Sequence, residues 1–151
     1  MLDADVTGRA EIARIKLALG IVPTEMRKEI AKGTREALAP LKQEIPAAAL
    51  RLPGGYGPLM SRAVKVATRV TAGRDVKATV HVTAKGKREE RDVRRVNRGQ
   101  LRHPLYGNRK HWYATTVRRG FVDDPVEDAR KRVIRKSIDA RDKVARMIME
   151  A

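Results

Sequence analysis

Residues 64–83 read VKVATRVTAGRDVKATVHVT, and their alternation decides the fold class. Val64, Val66, Thr68 and Val70 alternate with Ala63, Lys65, Ala67 and Arg69. Val76, Ala78, Val80 and Val82 then alternate with Lys77, Thr79, His81 and Thr83. Apolar residues at every second position place one side of each extended segment against a core. Between the two segments, Thr71-Ala-Gly-Arg-Asp75 is rich in turn formers. The stretch is expected to be a β-hairpin with one face buried.

Upstream, the period changes. Met26, Ile30, Ala37, Leu41 and Ile45 fall on one stripe, with Arg27, Lys28, Lys32 and Glu36 largely opposite, which predicts an amphipathic helix of about 20 residues. Thr24 is placed to cap it, and Glu25 gives the first turn the charge the helix dipole favours. Pro40 lies inside this stripe, so a kink near residues 36–40 or a break at Pro46 is expected. Arg51-Leu-Pro-Gly-Gly-Tyr-Gly-Pro58 then reads as loop. Nearer the N-terminus, Ile12, Ile15 and Leu19 have helical spacing, although Ile15, Leu17 and Leu19 also alternate as a strand would; a short helix over 9–19 is the expectation, within an N-terminal arm of residues 1–23.

Downstream, AKGKREERDVRRVNRGQ (84–100) has little apolar periodicity beyond Val93 and Val96, and residues 84–109 are expected to form an extended basic loop. Leu101 to Asn108 reads as loop. His111 to Arg118 reads as a strand, with Trp112 and Ala114 on one side and Tyr113 and Thr115 on the other. Asp124-Pro-Val-Glu127 then announces a helix: Asp124 as cap, proline in the first position, Glu127 completing a capping box. Val126, Val133, Ser137, Ala140, Val144 and Ile148 are its expected buried stripe, with Arg130, Lys131, Arg135, Arg141 and Lys143 toward solvent. The elements add up to an α+β single domain over 1–151, with a long amphipathic helix and a C-terminal helix packed on a small, mainly antiparallel sheet. No internal repeat is present.

Composition limits the chemistry. The 151 residues are 42% hydrophobic but only 3% aromatic, so the core is aliphatic. There is no cysteine, which excludes disulfides, thiolate catalysis and cysteine-held metal centres. The net charge of +16 implies an anionic partner, acidic protein or nucleic acid. Residues 85–119 contain twelve basic and three acidic residues, more than half of that excess. No apolar run is long enough for a membrane span, and MLDADVTGRAE is acidic where a secretory signal is basic, so no membrane association and cytoplasm-like surroundings are expected.

No catalytic constellation emerges, and no enzyme activity, cofactor or metal is expected. His81, His103 and His111 fall on a strand, a loop and a strand start, and read as solvated or structural. Gly54-Gly-Tyr-Gly57 lacks the Gly-Lys-Ser/Thr of a phosphate loop. Glu89, Glu90 and Asp92 are interleaved with Arg88, Arg91, Arg94 and Arg95, a salt-bridged strip. Lys85, Lys87, Arg88, Arg91, Arg94, Arg95, Arg98 and Arg102 are the candidate contacts to a partner or to DNA, electrostatic and without base specificity.

Arg102-His-Pro-Leu-Tyr-Gly-Asn-Arg109, followed by Trp112 and by Arg118-Arg-Gly-Phe121 ahead of Asp124-Pro125, resembles the tail-completion or neck proteins of siphophages. These sit between the portal's connector rings and the tail tube. The resemblance spans roughly residues 6–150, and its motif-like part is 102–125. It implies a non-catalytic virion subunit, assembled in the host cytoplasm into a hexameric or larger ring. Its neighbours would be connector or stopper, tail-terminator or tail-tube proteins, with DNA in the channel. It also implies an assembly loop of His103, Pro104, Tyr106, Gly107, Asn108, Arg109 and Trp112. The alternative is a non-specific nucleic-acid-binding protein of ribosomal or nucleoid type.

Overall fold

A computed structural model describes residues 2–5, 11–17, 23–85, 92–105 and 108–150. Two strands, β1 (Leu2–Asp5) and β2 (Glu11–Leu17), open the chain. The helix expected over 9–19 is therefore a strand: β2 pairs along its whole length with the second hairpin strand, from Glu11↔Val82 to Leu17↔Val76. A short apolar run supports both periods, and here the partner strand decides.

The long helix divides into α1 (Thr24–Leu38) and α2 (Leu41–Ala49). The break comes at Ala39-Pro40. The Pro40 carbonyl accepts the N–H of Gln43 and Glu44, both at 2.9 Å, and so starts the next helix. Pro46 breaks nothing and lies within α2. Thr24 does not cap α1: Pro23 holds that position, and the Thr24 hydroxyl instead accepts from Arg27 Nη2 at 3.2 Å. The Gly/Pro stretch is only partly loop, because a third helix, α3 (Tyr56–Ala63), begins inside it.

The hairpin forms as its alternation requires, with β3 (Val64–Ala72) paired antiparallel to β4 (Val76–Ala84). Strand order in the resulting sheet is β1-β2-β4-β3. β4 is interior, and its Val76, Ala78, Val80 and Val82 are all buried.

The expected basic loop contains ordered structure. Val93 and Val96 are buried on a one-turn helix, α4 (Val93–Asn97), capped by Asp92, whose Oδ1 accepts the Arg95 N–H at 3.1 Å. β5 (Gln100–Leu105) follows where a loop was expected, and pairs with β6 (Asn108–Thr116) as a separate two-stranded ribbon. Among the described residues β5 pairs on one side only, which lets it hold Pro104, and the register shifts next to it, between Pro104 and Leu105.

α5 (Asp123–Met149) closes the fold. It lies along α1, tied by Lys143–Glu29 at 3.0 Å and Lys136–Glu36 at 3.5 Å. Arg132 bridges the break between α1 and α2, donating Nε to the Ala37 carbonyl at 3.2 Å and Nη2 to Glu44 at 2.8 Å. Val126, Ala129, Val133, Ala140 and Val144 are buried, and with Leu38, Leu41, Ile45 and the β4 side chains they make up an aliphatic core. Ile148 departs from expectation and is 61% exposed, since everything on α5 beyond Val144 stands in solvent. The fold is α+β, helices packed on small antiparallel sheets.

Candidate functional site

The β5–β6 ribbon and the short helix beneath it gather most of the candidate residues. Leu101 is the apolar anchor at the base of the ribbon, 2% exposed. Toward the tip the chain leaves the core: on β6, Asn108, Lys110, His111 and Tyr113 to Thr116 are exposed, and Trp112 is half-buried. Because successive residues of a strand point to opposite faces, exposure of nearly all of them means that neither face of β6 is covered.

Two contacts order the ribbon's side chains. The Arg102 guanidinium lies over the Trp112 ring, 5.9 Å from its centroid. Pairing of Pro104 with Trp112 and of Arg102 with Ala114 puts both groups on one face. On the other face, His103 Nε2 meets Thr115 Oγ1 at 2.9 Å, and its ring lies 5.9 Å from that of Tyr56 on α3. Near the tip, Asn108 Oδ1 accepts the Lys110 N–H at 3.0 Å.

The root of the ribbon is a knot of backbone bonds around Asn97. Its backbone carbonyl accepts the Gly120 N–H at 2.9 Å, and its side-chain Oδ1 accepts the N–H of Val122 at 3.0 Å and of Asp123 at 3.2 Å. Asn97 thus caps α5 from 25 residues away, which is why Asp124 does not: it is the helix's second residue, with Val122 in the cap position and no side-chain cap of its own. Gly99 and Gly120 flank the root with φ of +89° and +88°, a left-handed geometry costly for any residue with a Cβ. The Val117 N–H donates to the Gly99 carbonyl at 2.9 Å, closing the ribbon at its base.

Arg94 and Arg95 sit on α4, Arg98 is its C-cap, and Arg102, His103 and Pro104 are on β5. Asn108, Arg109 and Trp112 are on β6, and Lys85 lies just past the end of β4. Lys87, Arg88, Arg91, Tyr106 and Gly107 lie outside the described residues, as does the side chain of Arg109. The structure adds Lys110, Tyr113, Arg118 and Arg119 to the same region. One sequence signal marks them all: from Val93 to Val122 there are eight Lys or Arg and no Asp or Glu, half of the net +16 in 30 residues.

The charge of the helical body is handled differently. Lys143 holds the Glu29 carboxyl below its ordinary value through a hydrogen bond and its charge; desolvation opposes this and Lys32 adds to it. Among the described residues, the ion pairs joining α1, α2 and α5 draw on none of Arg98, Lys110, Arg118 or Arg119. Arg94 is half-buried, and its shielded Nε meets no acceptor among the described residues.

A cleft of about 290 Å³ opens beside the root, between α2 and the start of α5. Arg51, Arg118 and Arg119 line it together with Glu44, Asp124 and Asp128, and with the apolar Leu52 and Phe121. Its lining contains no hydroxyl, thiol or imidazole group. Among the described residues, no three His, Asp or Glu side chains cluster as metal ligands, and no helix is long and apolar enough to cross a membrane. No family model, curated protein or solved structure matches the chain.

Proposed function

We propose that this chain is a structural subunit of the phage head-tail junction, a tail-completion or neck protein acting by ring assembly and protein contacts. The observation that carries the reading is the ribbon. The described motif residues, 102–105 and 108–112, which resemble the siphophage proteins, stand on an element that leaves the core, the usual position for a group meant to order against a neighbour.

α5 supports the same reading from the other end of the chain. Ile134, Ile138, Met147, Ile148 and Met149 are 46 to 78% exposed. Ile134, Ile138, Ala145 and Ile148 fall on one heptad-spaced line, interrupted by Arg141, of the kind along which a neighbouring helix packs. β3 forms an edge of the four-stranded sheet and offers backbone groups for strand addition.

The test is co-purification. Tagged protein expressed together with the products of its neighbouring genes is expected to elute as ring-sized particles, and the chain is expected among the proteins of purified virions. A stable monomer absent from virions ends the reading.

A further inference from the structure

We infer that the β5–β6 ribbon and its root form a grip for duplex DNA, the ribbon lying in the major groove and the cations of the root resting on phosphates. This goes beyond the assembly role and stands or falls separately from it, since a chain excluded from virions could still bind DNA.

Charge is the first ground. The described part of the acid-free run from Val93 to Val122 forms α4, the ribbon and the turn into α5, and carries Arg94, Arg95, Arg98, Arg102, Lys110, Arg118 and Arg119 on consecutive elements. Arg98, Lys110, Arg118 and Arg119 are exposed on it, with Glu44, Asp124 and Asp128 lining the cleft beside Arg118 and Arg119. Such a surface attracts a polyanion and releases the counterions condensed on it.

Shape is the second ground. Paired strands lie about 4.8 Å apart, and with side chains a two-stranded ribbon is roughly the width of the major groove of B-form DNA, about 12 Å. The deep, narrow major groove of A-form RNA does not admit it. Surface chemistry is the third. The exposed residues of β6 are Asn108, Lys110 and Thr116 on one face and His111, Tyr113 and Thr115 on the other, rich in hydrogen-bonding groups, with Arg102 stacked on Trp112 on the first face. Cations and polar groups dominate contacts with phosphate and sugar, and duplex DNA is the partner that this surface fits.

Fluorescence anisotropy with the full chain and a labelled 30-base-pair duplex tests the inference. Binding is expected at 50 mM salt, with affinity falling steeply as salt rises, by a log–log slope of about −0.9 per phosphate contact. A variant carrying Arg98→Ala, Lys110→Ala, Arg118→Ala and Arg119→Ala is expected to bind at least about a hundredfold more weakly, with a slope shallower by three to four. A control with the same charge change on the helical body, Lys28→Ala, Lys32→Ala, Arg35→Ala and Lys42→Ala, is expected to lose less than about tenfold. Circular dichroism establishes that both variants fold. No binding at 50 mM salt overturns the inference and leaves acidic protein as the ribbon's partner. Equal losses in the two variants overturn it in favour of diffuse charge. Binding to duplex RNA or single-stranded DNA as tight as to duplex DNA overturns seating in the groove.

Discussion

Replacing Asn97 with alanine deletes one oxygen and leaves two donors without an acceptor. Those donors, the backbone N–H groups of Val122 and Asp123, open the 27-residue helix α5, which has no other side-chain cap. Val122 is 1% exposed and Asn97 2%, so water does not readily replace the lost oxygen at Val122. A buried donor left unpaired costs about 1–3 kcal/mol. Asp123 is exposed, and its N–H regains a water partner at little cost. With a small term for the void, the expected loss for Asn97→Ala is about 2–3 kcal/mol. Taking a urea dependence of about 2 kcal/mol/M, the midpoint falls by roughly 1–1.5 M, and the melting temperature by about 5–10 °C. Urea unfolding followed by far-ultraviolet circular dichroism measures this directly. Asn97→Asp is the informative partner, because a carboxylate keeps the acceptor and sits at the positive end of the helix dipole. It is expected to lose less than the alanine variant. An alanine variant within about 0.5 kcal/mol of the parent, or an aspartate variant weaker than alanine, refutes the capping role.

Gly120→Ala forces a Cβ into a left-handed conformation, 2.6 Å from Asp124 Oδ1, and is expected to cost at least about 1–2 kcal/mol by the same unfolding assay. Adding Asp124→Ala is expected to recover the steric part of that loss and leave the backbone part. Lys143→Ala is expected to raise the Glu29 pKa toward its ordinary value of 4.5, followed by carbon-detected NMR titration of the carboxyl. Since the folded-state pKa of Glu29 is the lowered one, its pairing stabilises the fold above the unfolded value and fades as pH falls through the folded value. The variant is expected to lose that acid-limb dependence, and an unmoved Glu29 resonance contradicts the pairing.

The hairpin was legible because a two-residue period over strands of nine residues each is incompatible with a helix. The split of the first helix was half legible: Pro40 marked it, but sequence cannot tell which of Pro40 and Pro46 breaks the chain, since that depends on which carbonyls find other donors. Residues 11–17 were misread because only pairing with β4 excludes the helical period. α4 was missed for its brevity: Val93 and Val96 are a single helical turn, too short for periodicity, yet both are buried. β5 was hidden by Pro104, a strand breaker everywhere except at an edge. As for the site, charge drew attention to residues 85–119, but the contacts named within it stopped at Arg102; the absence of acids from Val93 through Val122 was the stronger signal and gave Arg118 and Arg119 the same weight. Nothing local identified Asn97, whose bonded partners lie 25 and 26 residues further on.

The knot around Asn97 has a mechanical consequence. Both legs of the ribbon end in it: β5 emerges from Gly99, and β6 returns through Val117, bonded to the Gly99 carbonyl, to Gly120, bonded to the Asn97 carbonyl. A sideways load on the tip therefore loads both legs at a common base instead of peeling one strand from the other. That base also fixes the first turn of α5, which runs along α1. The ribbon is thus anchored to the first turn of a 27-residue helix, so a load at its base passes into the packing of α5 against α1.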